Sequence, residues 1–359
     1  NTGDIMVKKI LNRFFIDGLT GMSYGLFATL IIGTILQQIG TLISGEIGTY
    51  LYQFGKIAAG MTSAGIGIGV ACKFGESPLV VLSSATAGMV GGYSSKILAG
   101  TIFTEDGALL LSGPGEPLGA FLAAYIAIEV AHVVSGKTQL DIIITPLTGI
   151  LTGSAIGLFF GPPISKLMTE LGELINWGTE QQPLLMGVIV SVLMGMILTL
   201  PISSAALGII LNLSGLAAGA ATVGCCCNMV GFGIASYKEN GAPGLIAQGL
   251  GTSMLQVPNI MRKPLIWLPV ILSSAILGPV STLLFKMTNN ATGSGMGTAG
   301  LVGQIMTWQT MAVPGVSSVV VLFKILIMHF ALPAALTYFF SNMMRNLGWI
   351  KDGDMALPM

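Results

Sequence analysis

Glu116 is a carboxylate set between two prolines and three glycines, in the stretch Ser112-Gly-Pro-Gly-Glu-Pro-Leu-Gly-Ala-Phe121. A carboxylate withdrawn from water costs several kcal/mol unless it is paired or hydrated. Pro117 suits a first helical turn, where its missing N–H is not needed. That places Glu116 near the N-cap of a helix predicted over Pro117–Val134, where the positive end of the helix dipole favours an acid. Two uses follow. The side chain caps its own helix, or it accepts hydrogen bonds from the hydroxyls of a polar solute that Pro114 and Gly115 allow to approach closely. The second is our expectation.

Other polar side chains stand out against the same apolar background. Glu129 and His132 lie three residues apart on the predicted helix, hence on one face. They read as a packing pair or as a proton-coupling pair assisting Glu116. Gln256, Asn259 and Arg262 surround Val257-Pro258, which ends any helix there and frees backbone groups. Amide side chains at such a break suit either a capped loop or hydrogen bonds to a neutral solute, and Gln256 and Asn259 join the candidate site. His329 falls 200 positions after Glu129, and Lys324 precedes it with the potential to neutralise a buried carboxylate. Asn228 reads as hydrogen-bonding glue between helices. Cys225, Cys226 and Cys227 are consecutive, which is not zinc-ligand spacing, and read as small packing residues.

The elements around these residues are those of a membrane protein. Of 359 residues, 53% are hydrophobic and only 8% charged, with mean hydropathy +0.84. Soluble domains carry about 25% charged residues. The net charge of +0 gives no field for nucleic acid, so no nucleic-acid partner is expected. Phosphate-binding loops of the Walker type, nucleophile elbows and His-Glu-x-x-His motifs are missing, so neither an ATP-driven pump nor an enzyme is expected, and no cofactor or metal. The run Gly18–Ile43 exceeds the apolar region of a signal peptide and reads as a retained first span.

Spans of about 20 apolar residues are predicted at Gly18–Ile43, Ile57–Cys72, Pro78–Tyr93, Pro117–Val134, Asp141–Phe160, Pro183–Leu213, Leu216–Ser236, Pro264–Leu284 and Pro314–Phe340, with a short tenth, Ala242–Val257, that spans or only dips in. Ile164–Trp177 is amphipathic and reads as an interfacial linker helix. Ile97–Gly113 and Gly295–Val313 are too polar to span and read as re-entrant hairpins. The fold class expected is therefore an all-α polytopic membrane protein of about ten transmembrane helices in two repeats with two re-entrant hairpins. Residues 1–163 form the first repeat, 164–182 the linker, 183–340 the second repeat and 341–359 a C-terminal tail.

The repeat rests on three matches. IAAGMTSAG from Ile57 pairs with LAAGAATVG from Leu216, and VVLSSATAG from Val80 with VILSSAILG from Val270. Ala99-Gly100 and Pro114-Gly115 return at Ala299-Gly300 and Pro314-Gly315, both 200 residues on. Repeated halves with broken elements are how many secondary transporters place a solute near the midplane. The Lys and Arg distribution favours a cytoplasmic N-terminus and C-terminus if Ala242–Val257 spans, whereas a strictly inverted repeat requires that it does not.

Gly113-Pro-Gly-Glu-Pro-Leu-Gly119 is similar to the Gly-x-x-Glu-Pro signature of the membrane-embedded IIC subunits of the bacterial phosphotransferase system, with Pro-Gly in place of the usual Ile-Thr. The layout of spans and hairpins resembles theirs over nearly the full length. GTSMLQVPNIMRKP (Gly251–Pro264) resembles a second hallmark of the stand-alone IIC relatives known as perfringolysin O regulators. The resemblance implies a bacterial inner-membrane carrier of a sugar or sugar derivative, with an elevator-like motion and a homodimeric assembly. It also implies that Glu116 contacts sugar hydroxyls. The chain has no soluble stretch to hold the phosphoryl-carrying IIA and IIB domains, so it uses separate subunits or transports without phosphorylation. A membrane-embedded solute sensor without net transport is the rival expectation.

Overall fold

Long apolar runs punctuated by glycine and proline fold into helices throughout the chain. A computed structural model describes residues 2–357; Asn1, Pro358 and Met359, at the ends of the expected first repeat and tail, lie outside the described residues. Two compact units are present, Asn1–Leu167 and Met168–Met359. Among the described residues six helices are long and apolar enough to cross a membrane, or seven if one bent pair counts as a span, and two more apolar helices are shorter.

In the first unit, α1 (Val7–Leu42) passes through two π-helical stretches, Arg13–Gly18 and Phe27–Ile31. It begins well before the expected Gly18, so Arg13 and Asp17 are helical residues. α2 (Glu46–Gly60) and α3 (Thr62–Lys73) meet at a 57° bend around Met61. The expected span Ile57–Cys72 straddles that bend. The stretch before it is helical because Ile47, Tyr50, Phe54 and Ile57 recur at helical spacing, all of them exposed on one face. α4 (Pro78–Gly92) and α5 (Pro117–Val134) end where the sequence places them to within a residue. They approach closely through small residues: a Cβ on Gly91 would meet Gly119 O at 2.3 Å.

α6 (Asp141–Thr179) runs without interruption for 39 residues. The expected linker Ile164–Trp177 is therefore the continuation of a span rather than a separate helix. Pro162 and Pro163 remove two backbone donors, but their fixed φ is itself helical, so the chain continues through them.

In the second unit, α7 (Pro183–Thr199) stops before Leu200-Pro201, and a short helix, Ser204–Ile210, follows. The expected span Pro183–Leu213 is thus broken. α8 (Gly215–Ala235) is the central helix of this unit and is mostly buried. α9 (Tyr237–Ile246) kinks at Gly241, and the chain becomes extended at Thr252 before the short helix Val257–Arg262. Ala242–Val257 is accordingly not one continuous helix. α10 (Pro264–Phe285), α11 (Val302–Met311) and α12 (Ser318–Asn346) complete the unit, α12 with a π-helical turn at Ile327–Ala331.

The two segments expected to be re-entrant differ from each other. After one helical turn at Ser94–Leu98, the first is a non-helical loop closed by a bridge between Phe103 and Leu109, with Glu105 and Asp106 at its exposed tip. The second carries α11. The glycines of the third sequence match share a conformation: φ is +71° at Gly100, +76° at Gly115, +53° at Gly300 and +91° at Gly315. The first match does not, because Ile57–Gly65 crosses the bend at Met61 whereas Leu216–Gly224 is continuous within α8.

Candidate functional site

The turn before Glu116 is built by four residues reaching in from α3, α4 and the loop after it. Ser63 Oγ donates to Pro114 O at 2.8 Å, and Tyr93 Oη donates to Gly113 O. Lys96 Nζ donates to Ser112 O at 3.1 Å and to its hydroxyl at 2.8 Å. Glu116 N donates to Gly92 O at 2.8 Å. Gly115 is required here, since φ is +76° and a Cβ would lie 2.4 Å from Ser63 Oγ. The backbone leading into Glu116 is thereby held in place. Glu116 occupies the N-cap of α5 with extended backbone, half-buried, yet its side chain makes no capping hydrogen bond. Beside the turn, a cavity of about 390 Å³ is walled by apolar side chains including Met61, Met89, Tyr93 and Leu111; Glu116 is not among its lining residues.

Glu129 and His132 do not pair with each other. Glu129 Oε1 accepts from Arg13 Nε at 2.6 Å, while His132 Nδ1 lies 2.8 Å from Glu76 Oε2. Glu76, 5% exposed, also meets Arg13 at 3.4 Å, and the Arg13 guanidinium covers the Phe74 ring at 3.8 Å. Four charged or titratable groups from α1, the α3–α4 loop and α5 thus form one network. Glu129 is 13 residues after Glu116 along α5, about 20 Å at 1.5 Å per residue. The network therefore sits near the far end of α5 and does not assist Glu116 directly. Sequence reasoning missed Glu76 altogether; its signal was a lone acid in the short Phe74-Gly-Glu-Ser-Pro78 connection between apolar runs.

Gln256 and Asn259 belong to the second unit, where they bind the protein's own tail. Gln256 Nε2 donates to Met355 O at 3.0 Å and to Gln248 Oε1 at 2.8 Å; Asn259 Nδ2 donates to Ala356 O and to Gln256 Oε1, each at 2.9 Å. Asn240 completes the clamp, donating to Met355 O at 2.9 Å and accepting from Leu357 N at 2.8 Å. Ile350 and Met355 are buried against Phe232, Ile260 and Ile266. Charged pairs hold the margin: Lys238 with Asp352 at 2.6 Å, Lys263 with Asp354 at 2.7 Å and Arg345 with Asp352 at 2.9 Å. The hydrogen bond from Lys238 holds the Asp352 carboxyl below its ordinary range. Partial burial pushes Asp354 the other way, but Lys263 and the Lys351 N–H outweigh it and its net shift is also downward. The expected solute role of Gln256 and Asn259 is thus corrected: their amides are spent on the tail.

The remaining buried polar residues of this unit are mainly structural. Asn228 Oδ1 accepts from Thr199 Oγ1 and Trp267 Nε1, both at 3.1 Å, and so ties α7, α8 and α10 together. Lys324 meets no carboxylate of those described; its ammonium donates to Phe285 O at 2.8 Å. His329 is fully buried, unlike its sequence counterpart Glu129, and its Nδ1 lies 3.0 Å from Gln304 Nε2.

No curated protein matches the sequence. The family described as Phosphotransferase system, EIIC matches residues 16–357, nearly the whole chain, from the start of the apolar part of α1 to the docked tail. With its helical, multi-pass architecture and the pinned Gly-x-x-Glu-Pro turn, the chain belongs to the phosphotransferase system EIIC family, the membrane transport component of that system.

Proposed function

We propose that this protein carries a small sugar or sugar derivative across the bacterial inner membrane, with Glu116 as the principal hydrogen-bond acceptor for its hydroxyls. The observation that carries this reading is the turn Gly113–Glu116, fastened by Ser63, Gly92, Tyr93 and Lys96 and delivering an acid that does not cap its helix. Pre-positioning of this kind reduces the ordering cost of binding, and a carboxylate acceptor makes stronger hydrogen bonds than a neutral one. Pro114 and Gly115 serve by exposing backbone beside the acid. The transport cycle is elevator-like in a homodimer with a cytoplasmic N-terminus, and separate IIA and IIB subunits supply phosphorylation where it occurs. These features come from the family and from the Lys/Arg distribution.

Glu116→Gln keeps the shape and removes the charge. It is expected to leave unliganded thermal stability within a few degrees of the wild type. Apparent sugar affinity should fall about tenfold or more, the size of a lost charge-assisted hydrogen bond. Sugar-induced thermal shift in detergent reads both, and an unchanged shift in the variant removes Glu116 from the site. Saturable binding without flux into proteoliposomes would mark a sensor in place of a carrier.

A further inference from the structure

Among the described residues of the second unit, six buried side-chain polar atoms have no hydrogen-bond partner, and three of them, Gln304 Oε1, Thr307 Oγ1 and His329 Nε2, belong to residues of α11 and the helix packed beside it. Their side chains are 8%, 1% and 0% exposed. An orphaned buried polar group costs about 1–3 kcal/mol, so three of them, two on one face of α11 and the third on the histidine that Gln304 touches, call for an explanation. Gln304 and Thr307 are one turn apart on α11 and share a face. Gln304 Nε2 touches His329 Nδ1 at 3.0 Å and Cys226 Sγ of α8 at 3.5 Å.

The backbone around the cluster is irregular on both sides. His329 sits within the π-helical turn Ile327–Ala331, and such turns are frequent at functional sites. α11 begins after Leu301, a non-glycine residue at φ +59°, a conformation that costs about 1–3 kcal/mol and persists only where the surroundings enforce it.

We infer that Gln304, Thr307 and His329 form a second polar site, which takes a hydroxyl group of a neutral solute. Both amide hydrogens of Gln304 are used, so its Oε1 is the open acceptor. His329 Nδ1 accepts from Gln304, so its neutral ring carries the proton on Nε2 and is the open donor. The Thr307 hydroxyl does either. One donor, one acceptor and one adaptable hydroxyl match a hydroxyl group, which itself donates and accepts. The outward N–H disfavours a bare cation, and with no charge in the trio an anion gains little. The inference rests on the reading of the chain as a carrier of hydroxylated solutes, though not on Glu116.

The chain contains 2 histidines, so ¹⁵N-histidine labelling of the full protein in detergent gives a direct readout, with His132→Gln assigning the signals. Glucose, N-acetylglucosamine, mannitol and cellobiose are the probes. At least one is expected to shift the His329 nitrogens saturably. Thr307→Val and Gln304→Leu should each weaken that response by about three- to tenfold, the scale of one neutral hydrogen bond. Without probe, Thr307→Val should melt at the wild-type temperature or higher, because it removes an unpartnered hydroxyl. A lower melting temperature for Thr307→Val would show the hydroxyl already satisfied, by a structural water only, and overturns the inference. So does stabilisation by a probe that leaves His329 unmoved; if Glu116→Gln abolishes that stabilisation, the proposed function stands without this site. If His329 responds while Glu116→Gln binds as the wild type does, the inference stands and Glu116 loses its role. No response to any of the four probes overturns both.

Discussion

Replacing Gly115 by alanine would set a Cβ 2.4 Å from Ser63 Oγ on a backbone with φ +76°. The strain is about 1–3 kcal/mol, and the Ser63 bond to Pro114 O is displaced with it. We predict that Gly115→Ala weakens sugar-induced stabilisation although Glu116 is untouched, as read by thermal shift; full retention would mean that the turn need not be rigid. Glu76 offers a contrasting case. It is nearly buried while its partners Arg13 and His132 remain 33% and 64% exposed, so solvent moderates the cost of losing it. Glu76→Gln is expected to destabilise by about 1–2 kcal/mol, with a lower melting temperature and sugar affinity unchanged. Altered affinity would tie this network to the site despite its distance along α5. The place of Glu116 at the start of α5 was legible in the sequence because proline and glycine on both sides leave few conformations open. Glu76 was not, because a long-range ion pair leaves no local periodicity.

Among the elements, α5 starts at Pro117, as that residue's fit to a first helical turn predicts, and ends at Val134 as expected. α6 was cut short because Pro162-Pro163 reads as a break, yet prolines fit helical φ when neighbouring helices or solvent meet the freed carbonyls. The amides of Gln256 and Asn259 looked like ligand donors because their partners, 97 or more residues away, are invisible to local pattern. The docked tail makes its own prediction. Asp352 and Asp354 are both held below their ordinary range, so their pairing contributes stability above the unfolded carboxylate range and loses it as pH falls through the folded values. Amide protection across residues 350–357, taken relative to the intrinsic exchange rate at each pH, should therefore be unchanged between about pH 7 and pH 5 and fall below about pH 4. Loosening near neutrality would refute the assignment of these pairs. Asn259→Leu should raise exchange in the same segment at every pH.

For the molecule as a whole, composition alone placed the chain in a bilayer, and nine expected spans fall on apolar helices or on the bent α2–α3 pair. What composition did not show was where those helices break. The chain bends at Met61, breaks at Leu200-Pro201 and kinks at Gly241, whereas Pro162 and Pro163 lie inside an unbroken helix. Of the stretches expected to correspond, the glycines 200 residues apart all have positive φ, while Ile57–Gly65 and Leu216–Gly224 diverge. A carrier built this way should lose transport whenever the Glu116 turn is altered, without losing its fold. The most direct measurement is uptake of radiolabelled sugar into proteoliposomes by wild type and Glu116→Gln, reconstituted at equal density and checked for equal thermal stability. The account predicts saturable uptake by the wild type and a loss of about tenfold or more in the variant at subsaturating sugar. Equal uptake by both proteins would contradict it.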